Sequence, residues 1–86
     1  MLERTILIKN KTGLHLRPAS ELSALALNYR CKSLMIIGDK SFNLKSVLSV
    51  LSAQVAALSE ITIRCEGVDE AEAIEALTGY LSPGSN

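Results

Sequence analysis

The chain has 86 residues, 48% of them hydrophobic, with nine basic and nine acidic side chains that cancel. That length suits one small domain with a real core, and the charge balance speaks against a nucleic-acid or anionic-membrane surface, which would need a basic excess. No apolar run approaches the roughly 18 residues of a membrane span, no basic–apolar–small leader opens the chain, and a single domain over 1–86 in the cytoplasm is expected.

In chain order, Thr5 to Lys9 is short and β-branched and predicts a strand. "NKTG" supplies turn chemistry. A helix should begin near His15 or Leu16, with Pro18 in its first turn, and run to about Tyr29. That helix has two apolar-leaning stripes. Ala19, Leu22, Ala26 and Tyr29 are assigned to the core. Leu16, Ser20, Ser23, Ala24 and Leu27 lie about 120° away and start beside His15, so this second face is either buried too or kept for a partner. Leu34 to Ile37 predicts a strand, "GDK" a turn, and Ser41 to Asn43 a short returning strand. Ser46 can cap a short helix from Val47, with Val50 inward and Val47, Leu48 and Leu51 on another side. Ile61 to Cys65 alternates and predicts a half-buried strand. Asp69 with Glu72 predicts a capping box for a last helix whose inner stripe is Ile74, Leu77 and Leu81. A polar tail over 82–86 follows. The order βαββαβα, with strands burying one face under helices, predicts an α+β two-layer fold.

Cys31 and Cys65 have no CxxC neighbour, and with one histidine there is no zinc set, so two buried thiols and no metal are expected. The remaining chemistry concentrates in "GLHLRPAS", which holds the only histidine, His15. A bland reading makes it a surface residue at a helix start. Its neighbours suggest more. A helix N-terminus offers free N–H groups and a positive field that disfavours imidazolium. Arg17 adds a planar cation suited to phosphate oxygens, while Thr12 and Gly13 offer a hydroxyl and a close-approaching backbone. With no acid–base partner nearby in sequence and no Mg²⁺-type acidic cluster, a group carrier fits better than a catalyst. A small His-dependent phosphatase is the enzyme alternative, and no cofactor is expected.

"KTGLHLRPAS" resembles the active-site segment of the HPr family, the histidine-containing phosphocarriers of the bacterial phosphoenolpyruvate-dependent sugar phosphotransferase system. The family pattern G-[LI]-H-[AT]-R-P-A is matched at Gly13, Leu14, His15, Arg17, Pro18 and Ala19. "NLKSVLSVL" and "EITIRCEGVDEAEAIEAL" resemble two further family segments, so the likeness spans nearly the whole chain. It implies an open-faced β-sandwich, a four-stranded antiparallel sheet covered on one face by three helices. It implies phosphoryl transfer from enzyme I to Nδ1 of His15 and on to enzyme IIA domains, with Thr12, Leu16 and Arg17 stabilising the phosphate. It also implies a monomer that docks partners on an apolar face of Leu16, Ser20, Ala24, Leu27, Val47, Leu48 and Leu51. In the Gram-positive branch, the serine matched by Ser46 is phosphorylated by HPr kinase/phosphorylase, and the product acts with a catabolite control regulator. A regulatory module of that kind is the alternative function, and a bare helix cap is the bland reading of Ser46. Lys45 is expected to pair with a phosphate there. Leu16, Leu44, Ser49 and Gln54 depart from the usual Ala or Thr, Ala, Gly and Gly. Ser49 is expected to add a hydroxyl to the docking face, and Gln54 to stiffen the chain after the short helix.

Overall fold

The computed structural model describes residues 1–9 and 11–82. Its elements are β1 (Leu2–Leu7), α1 (Leu16–Ala26), β2 (Lys32–Ile37), β3 (Lys40–Asn43), α2 (Val47–Ser52), β4 (Glu60–Glu66) and α3 (Glu70–Leu81). The strands form one antiparallel sheet in the order β1-β4-β2-β3. Alternation decides which face is buried: Ile61, Ile63 and Cys65 point inward, as their spacing predicted, and Met35 and Ile6 join them. The helices close over that face with Ala19, Leu22 and Ala26 from α1, Val50 from α2, and Ile74, Leu77 and Leu81 from α3, all buried. Each buried Leu, Ile or Val among them contributes about 1.5–3 kcal/mol by leaving water, so these side chains hold the helices on the sheet. The opposite face is polar across the β1–β4 pair: Thr5 and Thr62 share a 2.8 Å hydroxyl contact, and Arg64 pairs with Glu3.

Several boundaries differ from expectation for identifiable reasons. β1 starts at Leu2 rather than Thr5, because the charges of "LER" are paired: Glu3 with Arg64, and Arg4 with Glu75 and Thr78. It ends at Leu7. Ile8 still exchanges backbone bonds with Ser59 and Leu58, but Leu58 has φ +64, outside regular strand geometry. α1 stops at Ala26, not Tyr29. Its end tightens into bonds from Asn28 to Leu25 and Tyr29 to Ala26, and the ammonium of Lys45 then donates to the Tyr29 carbonyl at 2.7 Å. Ser23, placed by periodicity on the second stripe, is buried with an unpartnered hydroxyl. At about 100° per residue it lies on the edge of the buried arc, between Ala19 and Leu27. Ser82, expected in the polar tail, is buried and its amide bonds Thr78; residues 83–86 lie outside the described residues.

The capping box does not form. Asp69 occupies the N-cap of α3 without a side-chain cap bond. Its two carboxylate oxygens instead accept the amides of Arg30 (2.8 Å) and Cys31 (2.9 Å), tying the α1–β2 turn to the start of α3. Glu70, not Glu72, reaches back to a preceding amide, that of Gly67 (3.0 Å), and also holds the N-terminal ammonium. These bonds hold both carboxyls below their ordinary values, the Arg30 amide being the main cause for Asp69 and the Gly67 amide for Glu70. Cys31 and Cys65 are buried and free, and burial pushes the Cys65 thiol up to about 11, the setting of an inert core thiol.

A carboxylate depressed in the folded state contributes stability above its unfolded value that is lost as pH falls through the folded value. For Asp69 the ordinary value is 3.8, so the loss occurs below about pH 4. Asp69→Asn should therefore be less stable than the parent at pH 7, with urea midpoints that converge as pH drops toward 2.5. A gap independent of pH would refute the charge-assisted account.

Candidate functional site

The loop between β1 and α1 is set by Gly13. Its φ is +70, and a Cβ there would lie 2.2 Å from the carbonyl oxygen of Val55. Only glycine lets the chain pass that close, and the next amide, Leu14, donates to the same oxygen at 3.0 Å. Leu14 is buried, so the loop is pinned from both sides. His15 then falls at the N-cap of α1 in extended conformation (φ −96, ψ −168). Its carbonyl begins the helix by accepting from Ala19 at 3.0 Å. Its side chain makes no cap hydrogen bond, and the residue is exposed. The imidazole stands at the helix start without being spent on holding it together.

The first turn beyond it is short of internal partners, as every helix start is. Pro18 is its third residue and has no N–H to satisfy. The amides of Leu16 and Arg17 are left as donors on the positive end of α1, beside the ring. The Arg17 side chain is 85% exposed and lies 3.7 Å (Nε to Oε2) from Glu21, one turn on. The Tyr80 hydroxyl of α3 donates to the other Glu21 oxygen at 2.6 Å. Thr12 is exposed in the loop before Gly13. The chemical capacity of this end is clear: an uncommitted ring nitrogen, two amides and a movable guanidinium, all open to solvent. Among the described residues no group of three or more His, Cys, Asp or Glu side chains could hold a metal ion.

The face leading away from His15 is apolar and exposed. Leu16 and Leu27 are each 63% exposed and Leu48 is 80% exposed, with Ser20 and Ala24 exposed between the two leucines of α1. Val47 and Leu51 are half-buried, each with one side packed on the core. α2 lies alongside α1, so the two helices share this surface. Ser46 caps α2 as expected, accepting the Ser49 amide at 3.2 Å.

Three local expectations are corrected. Lys45 is turned to the Tyr29 carbonyl and does not face Ser46 as a waiting counter-ion. The Ser49 hydroxyl accepts the Asn43 amide at 2.9 Å, so it joins β3 to α2 rather than furnishing the open face. Gln54 has φ +53, the left-handed conformation that favours glycine, immediately after the cap of α2. It therefore occupies a strained helix-end position rather than merely stiffening a linker. Leu44, the other departure, is fully buried core.

Sequence reasoning missed Val55 and Ala56 as the wall behind Gly13, and Glu21 with Tyr80 as the partners of Arg17. The i,i+4 spacing of Arg17 and Glu21 was the available signal for that pair. Nothing local pointed to Tyr80, 59 residues from Glu21.

The family profile described as the PTS HPr component phosphorylation site matches residues 2–82. The chain belongs to the HPr family. It is 36% identical over 77 residues to the phosphocarrier protein HPr of Mycoplasma capricolum, covering 90% of this chain and 86% of that protein. The crystal structure of HPr-C-His from Thermoanaerobacter tengcongensis superposes with a TM-score of 0.90 at 38% identity, covering 94% of this chain and 91% of that one. An HPr from Bacillus anthracis gives a TM-score of 0.90 at 31% identity, covering 94% and 96%. The open-faced sandwich expected from the HPr resemblance is thus the observed fold.

Gly13→Ala tests the pin that holds this HPr-family loop. Left-handed strain and the approach to Val55 together should cost more than about 2 kcal/mol in chemical denaturation. The amide resonances of His15 and Val55 should move together in spectra of the variant. A change below about 0.5 kcal/mol would show that the loop does not need this contact.

Proposed function

We propose that this chain is a phosphocarrier: His15 accepts a phosphoryl group from phosphorylated enzyme I and passes it to enzyme IIA domains of the sugar phosphotransferase system. The observation that carries this reading is an exposed imidazole at the N-cap of α1 that makes no cap bond, in a chain of the HPr family. A ring nitrogen, taken as Nδ1, attacks phosphorus. The bond from phosphorus to the enzyme I donor breaks and its electron pair leaves with the donor group. The amide of Leu16, the Arg17 guanidinium and the Thr12 hydroxyl take up charge on the phosphoryl oxygens. Transfer onward reverses these roles, so the protein is a covalent intermediate and not an enzyme, and it uses no metal or cofactor. It acts as a single domain, as a monomer in the cytoplasm. Partners dock on the face of Leu16, Ser20, Ala24, Leu27, Val47, Leu48 and Leu51, a small apolar surface suited to brief contacts.

A second, regulatory reading rests on Ser46, whose hydroxyl sits at the start of α2 next to exposed Leu48. Phosphorylation by HPr kinase/phosphorylase would add about two negative charges at the rim of the docking face. Repulsion and desolvation would then oppose enzyme I binding, while a catabolite control regulator could read the new charge. No direct contact with nucleic acid and no membrane insertion belong to either reading.

Incubation with labelled phosphoenolpyruvate and enzyme I should give an acid-labile, base-stable adduct that His15→Ala abolishes. Label that persists in His15→Ala would overturn the assignment. In a separate assay, ATP and HPr kinase/phosphorylase should give an acid-stable adduct absent from Ser46→Ala. No incorporation would reduce Ser46 to a helix cap.

A further inference from the structure

The only ion-pair partner of Arg17 among the described residues is Glu21 (3.7 Å, Nε to Oε2), and the other oxygen of that carboxylate is held at 2.6 Å by the Tyr80 hydroxyl from α3. At about 100° per residue, Glu21 lies on the flank of α1 that meets α3, opposite the flank shared with α2. Glu21 is therefore not a freely moving surface acid. A bond from a different element fixes its carboxylate one turn beyond Arg17. Tyr80 is half-buried, and its proton is firmly retained: burial first, then the Glu21 carboxylate it faces, pushes the phenol up to about 12. It remains a donor across the whole physiological range.

Resting on the phosphocarrier reading, we infer that Glu21, fixed by Tyr80, is the resting counter-ion of Arg17 and sets how readily the guanidinium turns to a phosphoryl group on His15. The two destinations compete for one cation. Before transfer, Arg17 faces Glu21. After transfer, about two negative charges on the phosphoryl oxygens draw it toward the helix start. Leaving Glu21 costs the phosphorylated state part of what Arg17 contributes. Glu21 and Tyr80 are positioning residues, because both act through Arg17 and neither is required to touch phosphorus. Glu21 also keeps a donor after Arg17 departs, since Tyr80 stays bonded, so its carboxylate is not stranded by the switch. The arrangement tunes the phosphohistidine toward transfer: a cation wholly free for the phosphate would hold the adduct about twofold more firmly.

The test is an exchange at equilibrium. Phosphorylated parent and unphosphorylated variant are mixed with catalytic enzyme I, and the share of label on each is read by intact mass. Enzyme I cancels from this ratio. Glu21→Gln keeps an oxygen for Tyr80 and removes the charge. It should draw label toward the variant by about twofold, the factor set by an exposed i,i+4 ion pair of ordinary strength. Tyr80→Phe should shift the ratio in the same direction by less, and the double variant should match Glu21→Gln. In an Arg17→Ala background, Glu21→Gln should have no effect; the Arg17 side chain is exposed, so that background keeps the core intact. General damage would not raise the phosphorylated share. An unchanged or lowered ratio overturns the inference. So does an increase that survives without Arg17, which would mean bare repulsion between Glu21 and the phosphate. Loading with phosphoramidate separates this outcome from failure of the carrier reading. There the ring nitrogen bonds to phosphorus and the P–N bond of the reagent breaks, ammonia leaving with the ring proton. If enzyme I does not load the protein but phosphoramidate does, the carrier reading fails. The phosphoryl titration followed by ³¹P NMR then decides the Arg17 competition, with Glu21→Gln shifting it to lower pH as expected and no shift overturning the inference. If His15 takes up phosphate from neither source, both fall.

Discussion

The contact on which the His15 end of α1 depends is between Gly13 and the Val55 carbonyl. It is a backbone-to-backbone approach that leaves no room for a Cβ, made at a φ that L side chains resist. Because the loop is fixed there, His15 need not be. The residue's backbone begins α1 through its carbonyl, and the imidazole makes no cap bond. A Ser, Asp or Asn at this N-cap would satisfy an amide and steady the helix by about 1 kcal/mol. The chain forgoes that stabilisation and leaves two amides and a ring facing solvent. Stability lost at the helix start is offset by the buried loop behind it, where Leu14 and Val55 enter the core.

The same trade appears across the exposed surface of α1 and α2. Leu16, Leu27 and Leu48 would each gain from burial, yet they stand open on a molecule with no net charge. Isolated exposed leucines are common, but three on adjacent helices, starting beside an uncommitted imidazole, are a surface rather than scatter. α2 is only six residues long and would not persist alone. Val50 anchors it, the Ser46 hydroxyl caps it, and the Asn43 amide ties it through Ser49 to the edge of the sheet. Lys45 closes the end of α1 from the same segment. The platform is therefore braced by polar bonds from its rim, which leaves its outer side free of them.

The parts legible in the sequence are those governed by short-range rules. Period-two alternation at Ile61 to Cys65 and the stripe of Ile74, Leu77 and Leu81 gave the layers, and Ser46 before an apolar run gave its cap. The histidine, glycine and proline of "GLHLRPAS" marked the functional end through their spacing and their likeness to the HPr pattern. What stayed hidden was decided between segments. Asp69 and Glu72 have the spacing of a capping box, but the amides of Arg30 and Cys31 compete for the Asp69 oxygens and win. Lys45 adjoins Ser46 in sequence, yet the Tyr29 carbonyl takes its ammonium. Ser23 fell on an apolar-leaning stripe by angle alone, and the arc that the core buries proved wider than one stripe. In each case the local preference was real and a partner from another element overrode it.

On the proposed reading, that pattern bears on how an exposed helix start can carry a reactive group. Enzymes commonly exclude water and converge several charged groups on the reacting atom. Here the His15 end of α1 is exposed to solvent, so the charges there act weakly and reversibly. Weakness suits a carrier. If the ring nitrogen, the Leu16 amide and Arg17 bound a phosphoryl group as tightly as a buried oxyanion site, the onward step would pay for it in full. On the proposed reading, an exposed imidazole on a pinned helix start holds the group only as firmly as two amides and one exposed guanidinium in solvent allow. The remainder of the catalytic environment, on the same reading, comes from the partner that covers the apolar face of Leu16, Leu27 and Leu48.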